Sequence, residues 1–352
     1  MSRVVHLSER TFNTVKEFHE AIGDYRTIRE LHCDRCMFNM QSLDYAFECY
    51  AKIRSVEFID CDFPNLVDAK HMFEGCKSLE EISMPNATFA ALKNTEHMFE
   101  NCEYLEEISM PNATFAALEI ANNMFEGCKS LKVINLSNAT FESLIYAVHM
   151  FENCKSLEEI NMPKATFAAL KSAKHMFENC ESLEEISMPN AAFVSLIYAN
   201  NMFYNCNSLK GISMPNDTFA ALKSAERMFA GCHSLEEIDL TNATFEAIKD
   251  AKSMIARCHS LEEIDMPNAT FEAVEICIHM FSGCRSLKKF SMPKAAFKAL
   301  KHSENMFCGC FYIEEIDIPK AAFEAIKDAD FETRDLLSFI EKGIAALEAD
   351  RQ

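Results

Sequence analysis

Apolar side chains recur along this chain with a period of 26 residues. Met-Phe pairs run from Met72-Phe73 to Met306-Phe307 in this register, and Met254-Ile255 is the one substitution in the series. A cysteine follows each pair three residues later, from Cys76 to Cys310. A fixed period of this size is typical of a solenoid, in which each repeat buries its apolar residues against its neighbours. The period therefore predicts one continuous repeat domain.

One part of each repeat has the pattern of a short strand. Leu79, Ile82 and Met84 form an L-x-x-I-x-M stretch whose last positions alternate between inward and outward, and Pro85 then ends regular pairing. The same spacing predicts twelve strand motifs, which begin at residues 28, 53, 79, 105, 131, 157, 183, 209, 235, 261, 287 and 313.

The rest of the repeat has helical spacing. Thr88 is placed to cap a helical turn that starts at Phe89. The inward positions that follow are Thr95, Met98, Phe99 and Cys102, which have the i, i+3, i+4, i+7 spacing of a helix. A Gly or Asn precedes nearly every periodic cysteine, which is the residue choice for a left-handed helix C-cap. Arg257 takes that place in the repeat that carries Ile255, so we expect this repeat to be the most irregular.

This order of strand, turn, helix and cap is that of a leucine-rich repeat. The stretch MFENCKSLEEINMP resembles the BspA-like leucine-rich repeats, and the resemblance covers about residues 28–330. The expected fold is an α/β solenoid, a right-handed superhelix with short parallel strands on the concave face and short helices on the convex face. In that family the solenoid is used for binding, often at bacterial or protist surfaces.

Open solenoid ends expose core, so we expect helical caps at both ends. Residues 1–27 should form an N-terminal cap, with a helix that carries Phe12, Val15 and Phe18. Residues 28–330 should form the solenoid of about twelve coils. Residues 331–352 have an amphipathic pattern and should form a C-terminal capping helix.

Composition narrows the class of partner. The formal net charge is -20 over 352 residues, which argues against direct binding to nucleic acid or to an anionic membrane and favours a protein with a basic surface. No apolar run at the start is long enough for a secretion signal, and none approaches a membrane span. Ten cysteines occur once per repeat at one buried place, so we expect a reducing, cytoplasmic setting.

Two groups of residues have the composition of metal sites. Cys33-x-x-Cys36, with Cys49 and Cys61 downstream, has zinc-like spacing, but the repeat register places these thiols at inward core positions. Histidines 71, 97, 149, 175 and 279 precede Met-Phe, and the pairs 71/97 and 149/175 on adjacent coils could share a metal. A polar residue on the outer side is more often simply solvated. We expect neither a metal nor another cofactor.

Catalysis requires a singular arrangement of groups, whereas nearly every polar residue here has equivalents in other repeats. We therefore expect a protein that is not an enzyme. Acidic residues instead line the predicted strands, since most coils carry a glutamate pair after the first leucine. The candidate binding residues are Glu80, Glu81, Glu106, Glu107, Glu158, Glu159, Glu184, Glu185, Glu236, Glu237, Asp239, Glu262, Glu263, Asp265, Glu314, Glu315 and Asp317.

This acidic row has two interpretations. It is either a solvated face, on which a lysine in every third coil relieves the repulsion between glutamates, or a concave surface that binds a basic partner. Three functions remain open: an interaction scaffold for a basic protein, an inhibitor that imitates nucleic acid, such as a phage anti-defence protein, and a surface adhesin of the BspA-like type. A second, apolar candidate for contact or self-association lies on the convex side, at Ile145-Tyr146 and Ile197-Tyr198.

Overall fold

The computed structural model describes residues 3–48, 50–213 and 219–327. The chain divides into two compact units, Met1–Leu170 with Met176–Ala191 and Lys171–His175 with Ala192–Gln352. The C-terminal capping helix predicted at 331–352 lies outside the described residues, as does Cys49.

The first unit contains an eight-stranded sheet of parallel strands, in the order β1-β3-β5-β6-β7-β8-β9-β10. A separate two-stranded sheet joins β2 to β4. The strands are β1 (Arg3–Ser8), β2 (Thr11–Phe12), β3 (Ile28–Asp34), β4 (Met37–Phe38), β5 (Ser55–Ile59), β6 (Glu81–Ser83), β7 (Glu107–Ser109), β8 (Val133–Asn135), β9 (Glu159–Asn161) and β10 (Glu185–Ser187). Ile82 in β6 lies opposite Ile108 in β7, so the register repeats the 26-residue period of the sequence.

The second unit contains two shorter sheets. One pairs β11 (Gly211–Ser213) with β12 (Glu237–Asp239), and the other has the order β13 (Glu263–Asp265), β14 (Lys289–Ser291) and β15 (Glu315–Asp317). Each of the twelve predicted strand motifs contains a strand, and β1 adds a further one within the segment predicted as the N-terminal cap. The molecule is therefore a solenoid of about twelve turns with parallel strands.

In the described part of the chain, the helices predicted for the side opposite the strands do not form. Across residues 3–48, 50–213 and 219–327, the helices are α1 (Val15–Ile22), α2 (Lys320–Lys327) and a short 3-10 helix at Tyr25–Thr27. The repeats instead carry consecutive turns, in which the Met98 N–H donates to the Thr95 carbonyl at 3.1 Å. The next N–H, that of Phe99, donates across to Met124 in the following coil at 2.8 Å. Main-chain donors that a helix would use internally thus join one coil to the next.

Left-handed residues explain why helical spacing does not produce helices here. In the repeat that begins at residue 131, Phe141, His149 and Asn153 have φ angles of 50°, 57° and 61°. A right-handed helix does not continue through such residues. The left-handed conformation predicted before each cysteine does occur, but it ends a turn, and Arg257 adopts it as well, with φ 61°.

The core consists of ladders of identical side chains. Phe99 is fully buried and stacks on Phe73 at 5.3 Å and on Phe125 at 5.4 Å between ring centroids. The periodic thiols are buried beside this ladder, and the Cys102 Sγ donates to the Phe73 carbonyl at 3.1 Å. The cysteine row therefore fills space and satisfies a main-chain acceptor in the preceding coil.

The N-terminal segment differs in detail from the predicted cap. Helix α1 begins after Thr14, whose side chain accepts from the Glu17 N–H at 3.1 Å, and it buries Phe18 and Ile22. Phe12 is buried too, but it lies in β2 before the helix, and Val15 is half-buried. At the other end of the described residues, α2 buries Ala322, Phe323 and Ile326.

Candidate functional site: the acidic strand face

The acidic strand face follows from strand alternation. In each short strand the central apolar residue points inward, as Ile82 and Ile108 do, so the residues beside it point to solvent. All fourteen candidate glutamates and Asp265 are exposed, and Asp239 and Asp317 are half-buried. The glutamates are Glu80, Glu81, Glu106, Glu107, Glu158, Glu159, Glu184, Glu185, Glu236, Glu237, Glu262, Glu263, Glu314 and Glu315.

Basic residues partly neutralise this face. Lys132 and Lys288 each bridge to a glutamate of the preceding coil, at 2.8 Å from Glu106 and from Glu262. A further pair joins Arg54 to Glu80 at 3.4 Å and another joins Lys289 to Glu315 at 3.8 Å. Exposed pairs of this kind contribute about 0–1 kcal/mol each, so they moderate repulsion without removing the acidic character.

Strands with two glutamates each still pair. Glu81 lies opposite Glu107 in β6 and β7, and the sheet is continuous there, with the polar, uncharged Ser83 opposite Ser109 at the third position. Strands β9 and β10 also pair with glutamates opposite each other. Two like-charged positions per coil are thus compatible with main-chain pairing.

Between β12 and β13 the third position is charged as well, and here the sheet is interrupted. Asp239 and Asp265 occupy the places that Ser83 and Ser109 occupy in β6 and β7, and β12 and β13 are not hydrogen-bonded to each other. Two unit charges at the spacing of paired strands, about 4.8 Å, repel by about 1 kcal/mol even in water. A third carboxylate pair adds this cost to that of the two glutamate pairs.

The interruption is confined to the strand face. The Glu236 N–H donates to the Lys210 carbonyl and the Lys288 N–H to the Glu262 carbonyl, both at 2.8 Å, whereas β12 and β13, within residues 219–327, form no ladder with each other. The turns of the same two coils remain joined, since the Arg257 N–H donates to the Ser282 carbonyl at 2.7 Å. The repeat expected to be irregular therefore has a regular turn, with Ile255 fully buried.

A cavity of about 950 Å³ opens at this interruption. We call it the acidic groove, and its carboxylates are Glu236, Glu237, Asp239, Glu262, Glu263 and Asp265. Among the described residues, no lysine or arginine lies within ion-pair distance of Glu236 or Glu237, whereas Glu262 has Lys288. The individual glutamates were predicted from the sequence, but the groove was not. Its signal is aspartate at the third strand position of two successive coils.

The apolar residues proposed on the other side are only partly exposed. In the first unit, Tyr146 is 43 % exposed and forms a bridge with Ile120 of the preceding coil, while Ile145 is half-buried. In the second unit, Ile197 is half-buried, and Tyr198 is 41 % exposed with the Lys174 Nζ 4.6 Å from its ring centroid. In each unit the tyrosine is the accessible member of the pair.

The periodic histidines in the first unit are not simply solvated, so that interpretation was wrong. His71 stacks between Tyr45 and His97, at 4.4 and 4.7 Å between centroids, and its side chain is 16 % exposed. Its Nδ1 lies 2.5 Å from Glu74 Oε2, and His97 contacts a glutamate in the same way. These histidines are partners in a ladder of rings and carboxylates.

The zinc-like cysteines lie in the core, where the repeat register placed them. Cys33, Cys36 and Cys61 are buried, and the Cys61 Sγ donates to the Cys33 carbonyl at 3.3 Å. Burial raises the pKa of Cys61 and of Cys76 to about 12, which keeps both thiols protonated and poorly nucleophilic. Within the described part of the chain, no helix is long and apolar enough to cross a membrane.

The repeat, the parallel strands and the stacked core define a leucine-rich-repeat protein. The model of the BspA type leucine rich repeat region matches residues 43–172, 95–220, 147–251 and 251–342. The chain therefore belongs to the BspA-type leucine-rich-repeat family, as the sequence motif indicated.

Several solved leucine-rich-repeat proteins resemble the chain at low sequence identity. One from T. pallidum is 19 % identical over 59 % of this chain and 77 % of its own, with a TM-score of 0.34. One from Bacteroides ovatus is 22 % identical over 80 % and 87 %, with a TM-score of 0.28. One from Eubacterium ventriosum is 14 % identical over 88 % and 90 %, with a TM-score of 0.36. No curated protein matches the sequence.

Proposed function

We propose that the protein is a non-enzymatic binding module that holds a basic protein on its acidic strand face. The observation that carries this proposal is the acidic groove, where six carboxylates converge on one cavity. A cationic partner would relieve repulsion between β12 and β13, and at Glu236 and Glu237 it would displace no ion pair formed by the described residues. Attraction at such a site increases both affinity and the rate of encounter.

A reducing, cytoplasmic setting is part of the proposal. Fourteen of the described cysteines are buried, and burial holds the pKa of thiols such as Cys76 and Cys128 well above its usual range. A row of thiols that fills the core suits a compartment in which cysteines stay reduced.

The test is charge reversal within the acidic groove. Glu236→Lys, Glu237→Lys, Glu262→Lys and Glu263→Lys, introduced together, should lower the affinity for folded basic proteins such as lysozyme by at least about tenfold. Binding by the parent protein should also weaken steeply as the salt concentration rises from about 50 to about 300 mM, because the Debye length then falls from about 14 to about 6 Å. The affinities are measured by calorimetry.

A matched variant controls for net charge. Glu20, Glu142, Glu246 and Glu324 are exposed and lie outside the acidic strand face, so reversing all four changes the net charge equally. This control should bind like the parent at equal salt. Equal affinities for the groove variant, the control and the parent would refute the proposal. Competition by duplex DNA for the same basic proteins would instead favour the nucleic-acid-mimicking inhibitor over the scaffold.

A further inference from the structure

Strand β1 is the last strand of the eight-stranded sheet in the first unit. It pairs with β3 on one side, and within the described residues no strand pairs with its other side. The ladder to β3 is regular from Val4 to Ser8, and its one register shift lies before Val4. With six residues, β1 is also longer than the strands from β6 onward, which have three each. An unpaired edge of this length is a template for a further strand.

This edge lacks the features that usually prevent pairing. Natural edge strands are protected by charged side chains or by proline. Residues 4–8, VVHLS, contain no proline and no Lys, Arg, Asp or Glu. Arg3, the charged residue before them, donates from its guanidinium to the Ile22 carbonyl at the end of α1. By contrast β15, which also pairs on one side only, carries a glutamate and an aspartate.

The alternation of the ladder shows which main-chain groups face the open edge. In a parallel pair, alternate residues direct both their N–H and their C=O toward the partner strand. The Glu9 N–H donates to the Asp34 carbonyl at 2.9 Å, so the residues two and four positions before Glu9 face β3 as well. The N–H and C=O groups of Val4, His6 and Ser8 are therefore directed away from β3.

We propose that the open edge of β1 pairs with β1 of a second copy of this chain, antiparallel and about a twofold axis at His6. In this register His6 lies opposite His6 of the second copy, and Val4 lies opposite Ser8 on both sides of the axis. Each outward main-chain group then has a partner, which gives about six hydrogen bonds. The inward Val5 and Leu7 lie opposite each other across the axis, so the two sheets become one.

The distribution of charge favours a second copy as the occupant. Residues 1–27, which contain β1 and α1, have four basic and four acidic side chains, whereas the whole chain has a net charge of -20. Two such acidic chains repel each other through most of their surface. This end carries no net charge, so two copies can meet here without that cost.

Helix α1 already covers the core beside this edge. Phe18 is fully buried and packs on Phe38 and Phe47 of the next coil, at 5.3 and 5.9 Å between ring centroids. On the other side of the helix, the side chains of Lys16 and Glu20 are 84 % and 66 % exposed. Contact between copies therefore depends on main-chain pairing at β1 and not on an uncovered apolar face.

Complementary charges at position 6 test the twofold register. His6→Lys and His6→Glu each place like charges opposite each other and should weaken self-association at least about fivefold. Mixed in equal amounts, the two variants should form a heterodimer about as tight as the parent dimer, because lysine then faces glutamate. Sedimentation velocity of the full chain measures each association over a range of protein concentrations.

Val133→Lys and Val133→Glu are the matched controls. Val133 is 55 % exposed in β8, which pairs on both sides, so these variants add the same charges where no edge is open. Neither should change self-association. His6→Pro removes an outward N–H at a place where an edge strand tolerates proline, and it should abolish the dimer while circular dichroism stays that of the parent.

Hydrogen exchange of the parent tests the same pairing without a substitution. The amides of Val4, His6 and Ser8 should exchange slowly in the dimer and rapidly after dilution to the monomer, whereas those of Val5 and Leu7 should be protected in both. The dimer should not weaken as the salt concentration rises, because no ion pair holds it together. Binding of a basic protein should show the opposite salt dependence.

A parent chain that sediments as a monomer at every concentration would overturn this inference. So would a dimer that persists in both His6→Lys and His6→Pro, open-ended oligomers in place of dimers, or equal mixtures of the two charged variants that stay monomeric. None of these results bears on the proposed function, whose test changes residues of the acidic groove.

Discussion

Replacing Phe99 with alanine should destabilise the first unit by about 3–5 kcal/mol, the range for truncating a buried aromatic side chain. Phe99 is fully buried, and its ring stacks on Phe73 at 5.3 Å and on Phe125 at 5.4 Å, both at 4° between planes. Each aromatic contact adds about 0.5–1.5 kcal/mol beyond burial, so we expect the upper half of the range. Two coil interfaces are weakened by one substitution.

The main-chain contacts of Phe99 should survive, which isolates the side chain as the cause. Its N–H donates to Met124 at 2.8 Å, and its carbonyl accepts from the Cys128 thiol at 3.2 Å. Urea unfolding followed by far-ultraviolet circular dichroism measures the effect. With a slope of up to about 3 kcal/mol/M, a loss of 3 kcal/mol lowers the midpoint by at least about 1 M.

The chain offers its own matched control for this substitution. Ile255 occupies the equivalent position in another coil and is fully buried there, so Phe99→Ile should cost clearly less than Phe99→Ala. Tyr104→Ala removes a side chain that is 62 % exposed and should change the stability by no more than about 0.5 kcal/mol. A midpoint for Phe99→Ala equal to that of Tyr104→Ala would mean that the ladder does not support the fold.

Three further predictions concern other parts of the fold. A bulky thiol reagent should label mainly Cys308 among the described cysteines of the native protein, since the other described ones are buried, and should label all sixteen cysteines after denaturation; extensive native labelling would contradict the buried row. The contact with Glu152 raises the pKa of His149. The stabilisation from this contact should therefore be complete below the pKa of the unfolded chain, about 6.5, and should be lost as pH rises through the pKa of the folded protein. If the difference in unfolding midpoint between the parent and His149→Gln is the same at every pH, this prediction is refuted. Gly231→Ala should destabilise more than Gly75→Ala, because both have positive φ but only at Gly231 would the new Cβ meet an atom closer than 3.0 Å; chemical denaturation of both variants checks the order.

Much of the architecture is determined by the sequence. The 26-residue period predicts the coils, and alternation around Ile82 and its equivalents places each strand and its outward glutamates. The inward register of Cys33 and Cys36 also follows from the period, which is why their core location could be predicted against a zinc-like spacing. These inferences succeed because equivalent positions in successive repeats have the same structural environment, so one pattern is seen many times.

Other features depend on contacts between coils and could not be predicted from one repeat alone. The apolar spacing from Thr95 to Cys102 fits a helix, but main-chain bonds to the next coil and left-handed residues replace the helix with turns. The solvated histidines were mispredicted for the same reason, because the stack of His71 on His97 exists only when coils are adjacent. The acidic groove is the clearest case. Asp239 and Asp265 are unremarkable within their own repeats, and only the structure shows that the strands which carry them are left unpaired with each other.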